Sequence, residues 1–148
     1  MTRRALILGA VAAGVVRADA EDETWELVAS AARALVEATA LPPPNRGTAV
    51  PFLSYFDPKM AGFETLRDSV TALIDQVDLQ STIDPLRNEG NDRAREMTLD
   101  WLLTMSDPGS SIVSTRREAE IRCRVEKQGK KWRIVLLEPV SFFAPPHA

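Results

Sequence analysis

The stretch Ser110–Pro145, SSIVSTRREAEIRCRVEKQGKKWRIVLLEPVSFFAP, decides the fold of this chain. From Ile112 to Lys127 apolar and polar residues alternate, which is the period of a β-strand with one buried face. Gln128-Gly129 predicts a two-residue turn, because glycine accepts the positive φ that such turns require. A second strand then continues the apolar inner row. The register matches three apolar pairs across the hairpin: Val125 with Trp132, Cys123 with Ile134, and Ile121 with Leu136.

The other face of this hairpin is mainly charged. Six side chains of both signs occupy it on the first strand: Arg116, Glu118, Glu120, Arg122, Arg124 and Glu126. On the second strand the same face is expected to carry Arg133, Val135 and Leu137. Such a row predicts either a solvated face with cross-strand ion pairs or a contact surface for a partner.

The first half of the chain has helical periodicity, with apolar residues spaced three and four apart. Asp22 or Thr24 is the expected cap of the first helix, and the prolines after Leu41 are expected to stop it. The predicted segments are a first helix to about Ala40, a short aromatic helix at Pro51–Phe56 and a helix from about Gly62 to Val77.

Strand periodicity begins after Asp78. Leu79–Leu86 predicts a strand interrupted by Pro85, and Arg87–Asp92 predicts a turn. Arg93–Ser106 then alternates, with one apolar face: Met97, Leu99, Trp101, Leu103 and Met105. Helices followed by antiparallel strands predict an α+β fold, in which N-terminal helices pack on a curved antiparallel sheet.

Residues 1–20 are predicted to be an export signal, although a short buried helix is an alternative. Arg3 and Arg4 precede the apolar run Ala5–Val16, and Ala18-Asp19-Ala20 has the pattern of a cleavage site. The run is too short to span a membrane, which takes about 20 residues. Thr2-Arg3-Arg4 resembles a twin-arginine signal, and both that route and general secretion stay open. We expect a single domain at residues 21–148, exported to the periplasm or outside the cell, without a stable membrane anchor.

The composition argues against several classes of function. The 148-residue chain has a net charge of −3. Removal of residues 1–20 takes away three arginines and one aspartate and leaves −5, so nucleic-acid binding is not expected. Cys123 and His147 are the only cysteine and histidine, which excludes an intramolecular disulfide and a zinc-type cluster. We expect no metal and no cofactor, and we expect Cys123 to be a small core residue.

The order of a helix, a short aromatic helix, a helix and a curled antiparallel sheet resembles the nuclear transport factor 2-like superfamily, which has a cystatin-like α+β cone. Phe52–Pro58 (FLSYFDP) and Gly129–Ile134 (GKKWRI) carry the likeness, and they resemble uncharacterised secreted bacterial members. The resemblance covers nearly all of residues 21–148. Members include isomerases, dehydratases, cyclases, assembly domains and proteins of no known activity, so the fold does not decide the function.

The resemblance implies an apolar pocket where the sheet curls round the helices. Phe52, Tyr55 and Phe56 would close one side, and Arg117 would lie at the mouth. The sheet would supply the other walls: Leu99, Trp101, Leu103, Ile121, Trp132 and Ile134. A core packed solid is the alternative, because this many large side chains can fill a cone of this size. The resemblance also implies a homodimer through the outer face of the sheet, since two-fold pairing is the commonest assembly.

Enzymes of the superfamily use a His–Asp pair, or an Asp with Tyr, inside the cone. His147 lies at the chain end, where it is a poor base. The remaining candidates are Asp100 and Glu138, each acting with Tyr55. Alternation puts Asp100 on the outer face unless a bulge turns it inward, where burial would raise its pKa. Glu138 continues the inward row and is a candidate partner of Arg117, as a structural ion pair or a ligand anchor.

Three hypotheses about function follow. The first is a secreted, non-catalytic domain that binds a small apolar ligand or a protein partner. The second is a lyase or isomerase that uses Asp100 or Glu138 with Tyr55. The third is a dimeric assembly module that acts through the outer face of the sheet. A closed core would remove the ligand and enzyme hypotheses, whereas an open pocket with a carboxylate near Tyr55 would favour an enzyme.

Overall fold

The computed structural model describes residues 19–147. Within them, helices precede strands: α1 Ala20–Glu37, α2 Val50–Leu53, α3 Phe63–Gln76, β1 Asp78–Gly90, β2 Ala94–Ser106, β3 Val113–Gln128, β4 Lys131–Glu138 and a 3-10 helix at Val140–Phe143. The strands form one curved antiparallel sheet in the order β1-β2-β3-β4. The predicted α+β architecture is therefore confirmed. Most of the predicted export signal, residues 1–18, lies outside the described residues.

The first helix begins earlier than predicted. Asp19 is its cap, and the Asp19 carboxylate accepts a hydrogen bond of 2.9 Å from the backbone N–H of Asp22. The prediction of Asp22 or Thr24 as the cap was wrong. Thr24 is buried in the first turn instead, where its hydroxyl donates to the carbonyl of Ala20 at 2.7 Å. Three acidic side chains in this turn suit the positive end of the helix dipole.

The first helix also ends earlier than predicted, at Glu37 rather than near Ala40. Thr39 explains the difference, because its hydroxyl donates to the carbonyl of Val36 at 2.9 Å and accepts from the backbone N–H of Leu79 at 3.1 Å. The chain after α1 is thereby attached to the start of β1. No helix within residues 19–147 is long and apolar enough to cross a membrane.

β1 extends beyond its predicted end. Pro85 pairs with Leu99 and Arg87 pairs with Thr98, so Leu86 is the extra residue of a bulge. The strand resumes after the bulge and runs to Gly90, and the predicted turn at residues 87–92 was therefore placed too early. Proline is tolerated here because β1 is an edge strand, whose outward N–H groups need no partner strand. The inner row predicted for β2 is buried.

The turn between β3 and β4 lies one residue later than predicted. Gln128 pairs with Lys131, so the two turn residues are Gly129 and Lys130, and Gly129 has a φ of 66°. Glycine thus occupies the first turn position rather than the second. As a result Trp132 lies opposite Lys127, and the predicted cross-strand pairs were wrong.

A bulge in β4 then reverses the two faces of that strand. Arg124 pairs with Leu136 whereas Val125 pairs with Ile134, which leaves Val135 as the extra residue. Because side chains alternate with a period of two, one extra residue moves all later side chains to the opposite face. Leu137 is therefore in the core, at 2% exposure, while Leu136 is half-buried, the reverse of the prediction.

Candidate functional site

The interior of the cone, where the resemblance implied a pocket, is filled by the protein's own side chains. Eight of the predicted lining residues are at most 8% exposed: Phe52, Phe56, Leu99, Trp101, Leu103, Ile121, Trp132 and Ile134. They belong to one core cluster between the helices and the inner face of the sheet. Tyr55 is only partly buried against this core.

Phe142 and Phe143, in the 3-10 helix after β4, supply the filling that the sequence analysis missed. Phe143 is 0% exposed, and its ring centroid lies 5.6 Å from that of Phe52 and 5.2 Å from that of Trp101. The Phe142 ring lies 6.0 Å from Trp101. These separations are typical of packed aromatic rings. The signal in the sequence was the adjacent pair itself, because two phenylalanines together are seldom both left exposed.

Arg117 fixes this C-terminal segment. It lies opposite Leu103 on the inner side of the sheet, and its Nη1 donates to the carbonyls of Phe142 and Ala144, both at 2.7 Å. Burial lowers the pKa of Arg117, although an arginine stays charged. The predicted pair of Arg117 with Glu138 is therefore not formed, and Arg117 acts as a structural clamp.

The carboxylates predicted as catalytic candidates lie outside the cone. Asp100 is directly opposite Glu120 on β3, between the buried residues Leu99 and Trp101 of its own strand. No bulge of β2 lies near it to turn it inward, and it stays on the face that the simple alternation predicts.

The bulge at Val135 carries Glu138 to the outer face as well. Glu138 lies 4.0 Å from Arg122 in an exposed ion pair. Tyr55 is on the side of β4 that faces α1, and its carbonyl accepts from the backbone N–H of Ile134 at 2.9 Å. The structure therefore does not bring Asp100 or Glu138 together with Tyr55.

We call the solvent-facing side of β1–β4 the outer sheet face. It contains the charged row of β3, with Asp84 and Arg87 of β1, and Glu96, Thr98, Asp100 and Leu102 of β2. Three carboxylates lie side by side across the strands, because Asp84 pairs with Asp100 and Asp100 pairs with Glu120. A hydrogen bond with Asp100, together with charge repulsion, raises the pKa of Glu118. Like charges directly opposite one another destabilise a sheet.

A groove of about 460 Å³, open to solvent, lies between α1 and β4. Tyr55, Leu27 and Trp132 form its apolar part, with acidic residues of α1 on one bank and Lys131 and Arg133 on the other. The indole N–H of Trp132 donates to the Glu23 carboxylate at 3.0 Å, which joins the two banks. We call this feature the α1–β4 groove. Within residues 19–147 no three or more His, Cys, Asp or Glu residues are placed to hold a metal ion.

Solved structures that resemble this one include the following three. A protein of unknown function with a cystatin-like fold from Nostoc punctiforme has 19% sequence identity and a TM-score of 0.50, over 78% of this chain and 85% of that chain. A protein from Novosphingobium aromaticivorans, provisionally assigned as an aromatic ring hydroxylase, has 9% identity and a TM-score of 0.59, over 80% and 85%. An NTF-2 like protein of unknown function from Shewanella oneidensis has 11% identity and a TM-score of 0.52, over 78% and 94%.

No family model and no curated protein matches the chain. At these identities the structural likeness establishes the fold alone. That fold is the cystatin-like, nuclear transport factor 2-like cone, and the fold prediction is confirmed. Function has to be argued from the surfaces of this chain.

Proposed function

We propose that this chain, a domain of the nuclear transport factor 2-like fold, is a non-catalytic binding domain that acts through a protein partner, with the outer sheet face as its contact surface. The filled cone is the observation that carries the proposal. Phe142 and Phe143 occupy the space that a small ligand would need, at 3% and 0% exposure. Binding by this domain is therefore assigned to its surface.

The free energy needed to expose those two rings supports the assignment of binding to the surface. A phenylalanine buries roughly 150–250 Å². Full burial of a phenylalanine side chain contributes roughly 1.5–3 kcal/mol, so exposing both rings costs about 3–6 kcal/mol. A ligand that enters the cone has to offset this amount before any net affinity appears, because it binds only the rare open state. The clamp by Arg117 adds to the cost, since its two hydrogen bonds are lost as well.

The outer sheet face supports the second half of the proposal. It carries charges of both signs across three strands. The neighbouring carboxylates of Asp84, Asp100 and Glu120 repel one another, and a cationic group of a partner would relieve this repulsion. Complementary charge on a partner gives specificity and speeds association.

Two measurements test the proposal together. Native mass spectrometry of the protein isolated from its own cell should find no bound small molecule. Carboxylate labelling should show Asp100 and Glu120 protected when the partner is present. Asp68 and Asp75, which lie on α3 and away from the sheet, are the matched controls. A tightly retained apolar molecule, or equal labelling of all four carboxylates in the complex, would contradict the proposal.

The α1–β4 groove offers the small-ligand alternative a specific site. A molecule with an apolar body and a charged end fits a groove that has Tyr55 and Trp132 between acidic and basic banks. The Tyr55→Ala variant should no longer bind such a ligand, whereas the Phe63→Ala variant should still bind it. A bound molecule that is insensitive to Tyr55→Ala would exclude this groove.

We also propose that the chain is exported, on the sequence features of residues 1–20. N-terminal sequencing of the protein from its native cell should begin at Glu21, and an intact Met1 would refute export. Cleavage after Ala20 would also remove Asp19, the cap of α1. Loss of such a cap costs about 1 kcal/mol, so the mature protein should be slightly less stable than the uncleaved chain.

A further inference from the structure

The free edge of β1 is a second feature of the sheet that fits a protein partner. We propose that residues 80–84, which we call the β1 edge, accept an extended segment of a partner protein as a fifth, antiparallel strand. That segment has apolar side chains toward α1 and a basic side chain opposite Asp84. The inference rests on the proposed function, because it names the class of protein segment that anchors the partner beside the outer sheet face.

The two edges of the sheet differ in what covers them. At the β4 edge, the N–H of Ile134 donates to the carbonyl of Tyr55, and the carbonyl of Ile134 accepts from the N–H of Asp57, both at 2.9 Å. Phe56 thereby forms a short parallel bridge with β4. No segment within residues 19–147 pairs in this way with the β1 edge. The fold therefore covers one edge with its own chain and leaves the other without a neighbour.

The backbone groups that point away from β2 can be identified from one hydrogen bond. The N–H of Leu79 donates to the hydroxyl of Thr39 at 3.1 Å, so Leu79 points away from β2. Every second residue of an antiparallel strand directs its N–H and C=O to the same side, and the pairing of β1 with β2 is regular as far as Pro85. Ser81 and Ile83 therefore point their N–H and C=O groups to the open side. Pro85 has the same parity, as expected for a proline at a strand edge.

Four backbone groups, the N–H and C=O of Ser81 and of Ile83, are thus available at the β1 edge. In the described part of the chain none of them has a hydrogen-bond partner on that side. A row of unpaired N–H and C=O groups is a template for another strand. The row is limited by Leu79, whose N–H is already bonded, and by Pro85, which has none. The intervening five residues span about 17 Å and match a segment of about five residues.

Helix α1 runs beside β1 and leaves space next to this edge. The two elements are hydrogen-bonded near both ends, through Thr39 with Leu79 at 3.1 Å and through the side chain of Asn88 with the hydroxyl of Thr24 at 2.9 Å. Between these bonds lies a groove of about 430 Å³, open to solvent, which we call the α1–β1 groove. Small and apolar side chains form much of its wall: Ala29, Ala32, Val36, Ser81 and Ile83.

The α1–β1 groove determines which side chains the segment has on its inner side. Ser81 and Ile83 face the core, since the Ser81 hydroxyl accepts from the indole N–H of buried Trp101 at 2.8 Å and Ile83 packs against the core cluster. Residues directly opposite one another on paired strands point to the same face. The two side chains opposite Ser81 and Ile83 therefore enter the groove, where apolar atoms are favoured.

The charges of the outer sheet face determine the side chain opposite Asp84. Asp84 ends the row of carboxylates with Asp100 and Glu120, and none of the three forms an ion pair within residues 19–147. Arg122 and Arg124, on the same face, are already paired with other carboxylates. A lysine or arginine of the added strand extends the row across the edge with the opposite charge, which stabilises a cross-strand pair.

A short peptide tests the inference. The probe is the pentapeptide Lys-Val-Thr-Val-Lys with blocked ends, which in antiparallel pairing puts a lysine opposite Asp84 and its valines opposite Ser81 and Ile83. Amide hydrogen exchange of the full chain, followed by NMR, is the measurement. Without peptide, Ser81 and Ile83 should exchange rapidly, and Thr82 should exchange slowly because its N–H points to β2. Peptide at ten times its Kd should slow exchange at Ser81 and Ile83 about 10-fold.

Two modified peptides are matched controls for the backbone pairing. Methylation of both valine nitrogens removes the N–H groups that face β1 and should weaken binding by at least about 10-fold. Methylation of the threonine nitrogen, which points away from β1, should leave the Kd unchanged. Equal affinity of the parent and the valine-methylated peptide would overturn the inference.

A change of charge tests the basic position. Asp84→Lys should weaken binding of the lysine peptide about 5-fold and strengthen binding of Glu-Val-Thr-Val-Glu by a similar factor. Asp75→Lys, the same change of charge on α3, should alter neither Kd, and circular dichroism checks that both variants are folded. If Asp84→Lys has no effect on either peptide, the basic position is wrong.

The remaining outcomes separate this inference from the proposed function. Unchanged exchange at Ser81 and Ile83 up to about 5 mM peptide overturns the inference, because four hydrogen bonds should give roughly millimolar affinity. Slow exchange without peptide that depends on protein concentration would show that a second copy of this chain occupies the edge, and it overturns the inference as well. A partner that protects Asp100 and Glu120 from labelling while Ser81 and Ile83 still exchange rapidly overturns the inference and leaves the proposed function intact.

Discussion

Replacing Phe143 by alanine should destabilise the protein strongly, because its ring closes the cone. The ring is 0% exposed, and its centroid lies 5.6 Å from that of Phe52, 5.2 Å from that of Trp101 and 5.2 Å from that of Phe142. Deleting a buried phenyl group costs about 3–5 kcal/mol, and the lost aromatic pairs favour the upper half of that range.

The expected loss is about 4 kcal/mol from the free energy of unfolding. With an unfolding entropy of about 2.1 cal/mol/K per residue, this lowers the Tm by roughly 15 °C for the described part of the chain. Urea unfolding followed by tryptophan fluorescence measures the free energy, and calorimetry measures the Tm. Phe63→Ala is the matched control, because Phe63 is only partly buried at the start of α3 and should lose about 1 kcal/mol.

The cavity that Phe143→Ala leaves in the core allows a second test. A buried apolar cavity of phenyl size stays dry and can bind benzene. Saturating benzene should therefore raise the Tm of Phe143→Ala and leave the wild-type Tm unchanged. A loss below about 1 kcal/mol for Phe143→Ala, or benzene binding to the wild type, would refute the closed cone and restore its interior as a ligand site.

Three further substitutions or measurements probe the same architecture. Leu137→Ala should cost about 2–4 kcal/mol and Leu136→Ala about 1, measured by urea unfolding; the reverse order would mean that β4 has no bulge. Arg117→Met should cost roughly 1.5–3 kcal/mol because two carbonyls lose a charged donor, whereas exposed Arg67→Met should change stability by less than about 0.5. Burial raises the pKa of Cys123 to about 12, so its thiol should react with a disulfide reagent at pH 8 only after unfolding, and rapid reaction of the folded protein would place it at the surface.

Strand alternation predicted the faces of β2 correctly, because nothing interrupts its inward register from Met97 to Met105. The same reasoning failed in β4 after Ile134, where one extra residue, Val135, reverses the faces. The sequence VLL offers no local signal for that bulge, since all three residues are apolar and either of the last two can be buried. The packing of β4 on the core determines where the bulge lies.

The filling of the cone could not be predicted from the sequence for a related reason. The resemblance implied the walls of a cone, and eight of the side chains assigned to those walls are buried in the core. What fills the cone comes from Phe142 and Phe143, which follow the last strand and were assigned to no element. Their position depends on the chain turning back after Pro139 and on Arg117, 25 residues away from Phe142, which donates a hydrogen bond to the Phe142 carbonyl. Such a long-range contact cannot be deduced from local periodicity.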